Sequence, residues 1–497
     1  MAGVIFCHSF CTSHKPLYIC DLFWYILSYD LKAVFKINFF KKFIGTRQFY
    51  KTVLVLMIPI MVQNGITNLV NMVDNIMVGS IGTMQMNGVA VANQLFFVFN
   101  LCVFGAVSGA GIFGAQFFGN NDHKGVRHTF RFKIIFSVIL TVLGIALFLV
   151  FGRDLISLYL KGEGSVEDAS ASLDYAWQYM LIMLIGLLPY SIVQCYSSTL
   201  REGGQPLVPM YAGMAAVFVN LVGNYVLIFG HFGAPRLGIV GAAIATVLSR
   251  YVELLVVAVW TARNCEKFPF IIGAFKSLKV PFSLVVGIFK RGLPLMLNEA
   301  LWAVGIAILN QSYSLRGLDV VSANQISQTF FNVFSTAFMA VGVAIGIILG
   351  QLLGSGDIKR AKEHSTKLIA FSVFVSVLVG SAFFVCASFI PNFYNTTDEI
   401  RLLATRLMQI TAVAMPLDAF AHASYFTLRS GGQAFVTFLF DSCFVWIVSI
   451  PVVYVLRRFT SLPILPLYAI SQGLNFLKCL IGFYFVKKGI WIKRIVK

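Results

Sequence analysis

Apolar runs of about 20 residues or more recur along the chain at approximately 53–78, 88–118, 129–151, 173–200, 206–230, 238–262, 288–315, 320–352, 366–390, 402–428, 433–456 and 464–486. A helix rising 1.5 Å per residue needs about 20 apolar residues to cross the ~30 Å hydrocarbon core of a bilayer. The pattern therefore predicts an all-α membrane protein with twelve transmembrane helices. Residues 1–46 break it: they are aromatic-rich but interrupted by His8, His14, Lys15, Asp21 and Asp30, and no spanning run fits. They read as an interfacial segment or, preferably, as upstream sequence outside the working protein, since nothing later depends on them. No small-residue cleavage pattern marks a removable secretory signal.

Four carboxylates stand out inside these runs: Asp74, Glu299, Asp418 and Asp441. An acid at mid-helix costs on the order of 3 kcal/mol on insertion scales, so such residues face an internal cavity and serve transport or proton relay. Two amide stripes accompany them. Asn64, Asn68, Asn71 and Asn75 recur at steps of 4, 3 and 4, and Asn324, Gln328, Asn332 and Ser335 repeat the pattern on the eighth span, so each set shares one helix face. A single buried amide is worth under about 1 kcal/mol as glue between helices. Two whole stripes predict a wet cavity.

The chain repeats itself. GAQFFGNNDHKGVRHT at 114–129 answers GQLLGSGDIKRAKEH at 350–364, aligning Gln116 with Gln351, Gly119 with Gly354, Asp122 with Asp357 and Lys124 with Lys359 at an offset of 235. IPIMVQN at 58–64 answers LPLMLNE at 293–299, VANQ at 91–94 answers SANQ at 322–325, and TLREGGQ at 199–205 answers TLRSGGQ at 427–433. Each copy holds six spans, an even number, so the copies share one orientation and form two six-helix lobes related by a pseudo-two-fold axis along the membrane normal. The expected division is a doubtful extension at 1–46, an N-terminal lobe at 47–262, a basic linker at 263–287 and a C-terminal lobe with its basic tail at 288–497. Glu299 aligns with Asn64 and Asp74 has no acidic counterpart, so the halves are chemically unequal.

The net charge of +18 is a matter of topology rather than of a polyanionic partner: with the N-terminus inside, 28 Lys and Arg fall on the inner side and 8 on the outer, and Arg250 and Lys478 lie within spans. This bias places both termini in the cytoplasm and argues against nucleic acid as a partner. The nine cysteines read as small apolar side chains. Cys7, Cys11 and His14 lack the fourth ligand a structural zinc site requires.

VDNIMVGSIG at 73–82, GAQFFGNND, LREGGQ and LRSGGQ, on a plan of six plus six spans, resemble the multidrug and toxic compound extrusion (MATE) family from about Phe49 to the end. The resemblance implies a monomeric, cofactor-free antiporter of the plasma membrane in which Na+ or H+ entry drives export of organic, often cationic and aromatic compounds. In the NorM-like branch functional acids stand in the first, seventh and tenth spans, corresponding here to Asp74, Glu299 and Asp418, the last eleven residues before Arg429. Another branch uses an Asn and an Asp four apart on the fifth span; the matching pair here is Asn220 and Asn224, so this chain sits closer to the NorM-like branch. A Na+ site is expected at Glu299 and Asp418 with Asp441 nearby, a hard cation preferring several oxygen ligands. Protons are the rival driver, with His422, one turn after Asp418, as a secondary relay candidate. Trp302, three residues after Glu299, suits flat cations. Arg201 and Arg429 are expected to cap helix ends beside the glycine turns. A flippase of lipid-linked cargo is the alternative, disfavoured because the intramembrane charges are mainly acids. A membrane enzyme is less favoured still, with no HExxH, nucleophile elbow or P-loop.

Overall fold

A computed structural model describes residues 42–160, 166–394 and 396–496; Cys7, Cys11 and His14 lie outside the described residues. Among the described residues twelve helices are long and apolar enough to cross a membrane. In the N-terminal half they are α1 (Arg47–Gly79), α2 (Thr83–Gly119), α3 (His123–Leu160), α4 (Val166–Glu202), α5 (Leu207–Phe229) and α6 (Ile239–Arg263). In the C-terminal half they are α7 (Phe282–Ser314), α8 (Leu318–Ser355), α9 (Ile358–Cys386), α10 (Asp398–Ser430), α11 (Ala434–Phe459) and α12 (Ile464–Lys488). All twelve expected spans are present. Helix α7 begins at Phe282, inside the segment 263–287 that joins the halves.

Packing partners match between the halves. The first helix of each packs on the fifth, the second on the fourth and the fourth on the sixth. Prolines repeat too, with Pro59 inside α1 and Pro294 inside α7, and Pro189 inside α4 and Pro416 inside α10. Each removes a backbone donor and loosens its helix at the same level in both lobes. The outer surface is covered by exposed large apolar side chains such as Ile185, Phe218, Leu255 and Ile447, as a bilayer solvent requires.

The lobes meet through α1, α2, α7 and α8. The contacts gather on the face where α1 begins and α12 ends. Phe49, Val53, Leu56, Met57 and Ile60 of α1 pack with Ala340, Val341, Ala344 and Ile345 of α8 in one apolar cluster. Gly109 of α2 faces Gly292 of α7 so closely that a Cβ on Gly109 would lie 2.4 Å from the Gly292 Cα.

The repeated loop motif supplies the rest of this joint. A Cβ on Gly119 would lie 2.0 Å from the Gln351 carbonyl oxygen, and one on Gly354 would lie 2.0 Å from that of Gln116. Gln116 Nε2 donates to the Ser430 carbonyl at 3.1 Å, while Gln351 Nε2 donates to the Glu202 carbonyl at 2.6 Å. Each glutamine thus crosses to the fourth-helix end of the opposite lobe. Asp122 and Asp357 cap α3 and α9, accepting from Gly125 N at 2.9 Å and Arg360 N at 3.1 Å. The chain after α12 closes the seam: Trp491 is buried, Gln116 Nε2 donates to the Lys493 carbonyl at 3.1 Å, and Ile495 N donates to Gln116 Oε1 at 2.8 Å.

Candidate functional site

In the C-terminal lobe α7, α10, α11 and α12 bring three of the expected acids into adjoining polar contacts. Tyr425 of α10 donates to Glu299 Oε1 at 2.9 Å. Asn298, fully buried beside Glu299, donates to Asp441 Oδ2 at 3.0 Å and to the Tyr425 hydroxyl at 3.4 Å. Its own oxygen accepts from Ser442 N at 3.2 Å and Ser442 Oγ at 2.7 Å. Asp441 and Ser442 sit in a π turn of α11, Leu439–Cys443, followed by a second at Val445–Ser449. Such turns are frequent at functional sites, where they re-aim side chains out of the regular register.

Helix α12 serves two acids from one face, since Asn475 and Lys478 are three residues apart. Asn475 Nδ2 donates to Asp418 Oδ1 at 2.6 Å, and Lys478 Nζ pairs with Asp441 Oδ1 at 2.5 Å. Asp441 therefore already holds a cation, the Lys478 ammonium. Glu299 and Asp418 have no Lys, Arg or His within 4.0 Å among the described residues.

His422 is packed tightly. A Cβ on Gly342 of α8 would lie 2.5 Å from its Cδ2, its ring stands 4.9 Å from that of Phe426, and its buried Nε2 has no hydrogen-bond partner among the described residues. Trp302 is 38% exposed.

In the N-terminal lobe Asp74 of α1 accepts from Asn224 Nδ2 of α5 at 2.7 Å. With the Asn220 amide turned so that its nitrogen faces the carboxylate, it donates to Asp74 Oδ1 and Oδ2 at 3.0 and 3.1 Å while its oxygen accepts from Thr246 Oγ1 at 3.1 Å. The fifth-span pair thus supports the first-span acid with amides. No cation lies within 4.0 Å of Asp74 among the described residues.

The amide stripes are not sealed into helix interfaces. Asn64, Asn71, Asn75 and Asn332 are exposed and Asn68 and Gln328 half-buried, while Asn324 donates to Asn310 Oδ1 at 3.3 Å. The arginines of the repeated loops do something other than capping. Arg201 donates to Gln63 Oε1 of α1 at 3.2 Å, and Arg429 lies 5.2 Å over the Phe426 ring and 5.9 Å from that of Phe104 across the lobe joint. The reason is local: Gly204 and Gly432 make the turns unaided, at φ +79° and +72°. A groove of about 1170 Å3 opens beside the start of α1 around Arg47, Tyr50, Lys51 and Ile58, and none of the four acids lines it.

Sequence reasoning located the acids but not Tyr425, Asn298, Asn475 or the role of Lys478. Only Lys478 carried a signal, as a lone cation inside a span.

Comparison with known proteins gives the arrangement its family. The MatE family model matches twice, at residues 59–226 and 294–455, once in each lobe. The chain is 24% identical over 457 residues to a probable multidrug resistance protein NorM of Thermotoga maritima, covering 90% of this chain and 94% of that protein. It is 23% identical over 457 residues to a probable multidrug resistance protein YoeA of Bacillus subtilis, covering 90% and 95%. Among solved structures, the outward-facing conformation of a multidrug resistance MATE family transporter of the MOP superfamily superposes with a TM-score of 0.79 at 18% identity, covering 88% of this chain and 95% of that one. The Vibrio cholerae MATE transporter VcmN, in a mutant form, superposes with a TM-score of 0.80 at 16% identity, covering 89% and 97%. The chain belongs to the MATE family of multidrug efflux transporters, on its NorM-like side, and is a multi-pass membrane transporter rather than an enzyme.

Proposed function

We propose that this chain is a cation-coupled antiporter that exports organic compounds, cationic and aromatic ones foremost, while taking up Na+ or H+. One observation carries the reading: Asp74, Glu299 and Asp418 are intramembrane carboxylates with amide or hydroxyl partners but no cationic partner within 4.0 Å among the described residues. Carboxylates kept in a span without a counter-ion are costly, and a cation that comes and goes accounts for their presence. Glu299 and Asp418 are the principal coupling groups. Asp441 contributes through Asn298 and Lys478, and Asp74, with Asn220 and Asn224, belongs to the N-terminal lobe's share of the cavity. The exposed faces of Asn64, Asn68, Asn71, Asn324 and Gln328, with Trp302, line the substrate path, and His422 stays a secondary relay candidate.

The basic-residue bias puts both termini in the cytoplasm, so the face joined by Gln116 and Gln351 is the cytoplasmic one and the conformation is closed inward. The lobes, 47–262 and 288–497, rock about the 263–287 connection to alternate access. The unit works as a monomer in the plasma membrane and without a cofactor.

Efflux of a fluorescent cationic dye from proteoliposomes, driven first by a Na+ gradient alone and then by a proton gradient alone, tests this. Export under one gradient, lost in Glu299→Gln and Asp418→Asn, is the expected outcome. Full gradient-driven export in both variants removes the proposed coupling site.

A further inference from the structure

Arg429 is a buried cation that the coupling scheme leaves unused. It stands in the last turn of α10, and only 8% of the residue is exposed. Its buried Nη1 has no hydrogen-bond partner, and no carboxylate lies within 4.0 Å of it among the described residues. Three aromatic rings cradle the guanidinium instead, at 5.2 Å for Phe426, 6.0 Å for Tyr425 and 5.9 Å for Phe104. Two belong to its own helix, whereas Phe104 belongs to α2 in the opposite lobe. Cation–π attraction is weaker than an ion pair in a low dielectric, so an opposite charge within reach is the better partner.

That charge is Glu299. Long side chains on a helix lean toward its N-terminus, so Arg429 points along α10 toward Tyr425, one turn away, whose hydroxyl bonds Glu299 Oε1 at 2.9 Å. Phe104 marks the same level from the other lobe: a Cβ on its neighbour Gly105 would lie 2.9 Å from the Cα of Met296, three residues before Glu299. The other acids of the lobe are not open to Arg429. Asp441 is taken by Lys478 and Asn298, and Asp418 lies eleven residues, about three turns, back along α10 itself.

We propose that Arg429 is an internal counter-ion that expels the coupling cation from Glu299. In the inward-closed arrangement Phe104 helps to hold the guanidinium on its rings and off the carboxylate. When the lobes part at the cytoplasmic face Phe104 leaves with its lobe, the guanidinium closes on Glu299 in a bidentate fork, and the cation is released inward. This rests on the antiporter reading above and adds the step that discharges its cation.

The test uses full-length protein in proteoliposomes and whichever ion, Na+ or H+, drives dye export in the parent. Arg429→Met should lower at least tenfold the cytoplasmic-side ion concentration that halves export, while the outer-side half-saturating concentration moves less than threefold. Arg429→Lys keeps the charge and should hold the cytoplasmic-side value within threefold of the parent. Unchanged cytoplasmic-side inhibition in Arg429→Met, an equal shift on both sides, or the same shift in Arg429→Lys overturns the role. Phe104→Leu gives a second reading that does not depend on recovering the methionine variant, since Phe104 is 47% exposed and tolerates truncation. With one ring lost the guanidinium reaches Glu299 before the lobes part, so the outer-side half-saturating concentration should rise at least threefold; an unchanged or lower value also overturns the role. A parent that exports dye under neither gradient removes the antiporter reading and this step with it. Gradient-driven export in the parent that is indifferent to these variants removes the step alone.

Discussion

The crossed glutamines offer the sharpest mechanical prediction. Replacing both, Gln116→Ala with Gln351→Ala, removes four hydrogen bonds that join the lobes: from Gln116 to the carbonyls of Ser430 and Lys493, from Ile495 N to Gln116, and from Gln351 to the Glu202 carbonyl. Each contributes about 0.5–1.5 kcal/mol net, so the joined state loses about 2–6 kcal/mol relative to the separated one. At ~1.4 kcal/mol per factor of ten, even the low end multiplies the separated population by about thirtyfold. Spin labels at Lys124→Cys and Lys359→Cys, exposed at the starts of α3 and α9 in opposite lobes, report the separation by pulsed electron resonance in a background free of the nine native cysteines. The double alanine variant should gain a longer distance that the parent lacks. Distance distributions that superimpose would refute the reasoning.

Other consequences follow from the same contacts. Gly119→Ala with Gly354→Ala should push the seam apart by sterics, because each Cβ meets a backbone carbonyl at 2.0 Å; the labelled pair should again lengthen, and a stable variant with parental distances contradicts the packing. Lys478→Met should destabilise the protein by about 3 kcal/mol, the low end for breaking one side of a buried pair, because Asp441 is left with only Asn298. Adding Asp441→Asn should recover most of the lost melting temperature in detergent, and a double variant as unstable as the single one denies the pairing. Tyr425→Phe takes a donor from the Glu299 carboxylate, a bond to a charged group contributing about 1.5–3 kcal/mol. At ~1.4 kcal/mol per factor of ten, the half-saturating concentration of the driving cation should fall about ten- to a hundredfold with slower turnover, and an unchanged or higher value would count against Glu299 as a ligand.

Twelve spans and two like-oriented repeats were legible because bilayer thickness and the 235-residue offset leave a strong pattern. The acids were legible for the same reason, being costly where they stand. Their partners were not. Tyr425, Asn298 and Asn475 are ordinary residues for helix interfaces, and nothing in their spacing says which acid they face. Asp441 is instructive: the sequence shows a carboxylate and, 37 residues later, a lysine, but only the turn of α11 brings them to 2.5 Å. The repeated Gln, Gly and Asp positions were visible as a repeat without a reason; packed, they are the crossed latch, the close approach and the helix caps.

The central claim is exchange of substrate for a cation at Glu299 and Asp418, and the most direct measurement runs the cycle backwards. Proteoliposomes with an imposed gradient of cationic dye, and no ion gradient, are followed for movement of radioactive sodium and of protons against the dye. Dye-driven counterflow of one ion, present in the parent and lost in Glu299→Gln and Asp418→Asn, is the predicted result. Dye flux without movement of either ion, or counterflow that survives both substitutions, would contradict the account.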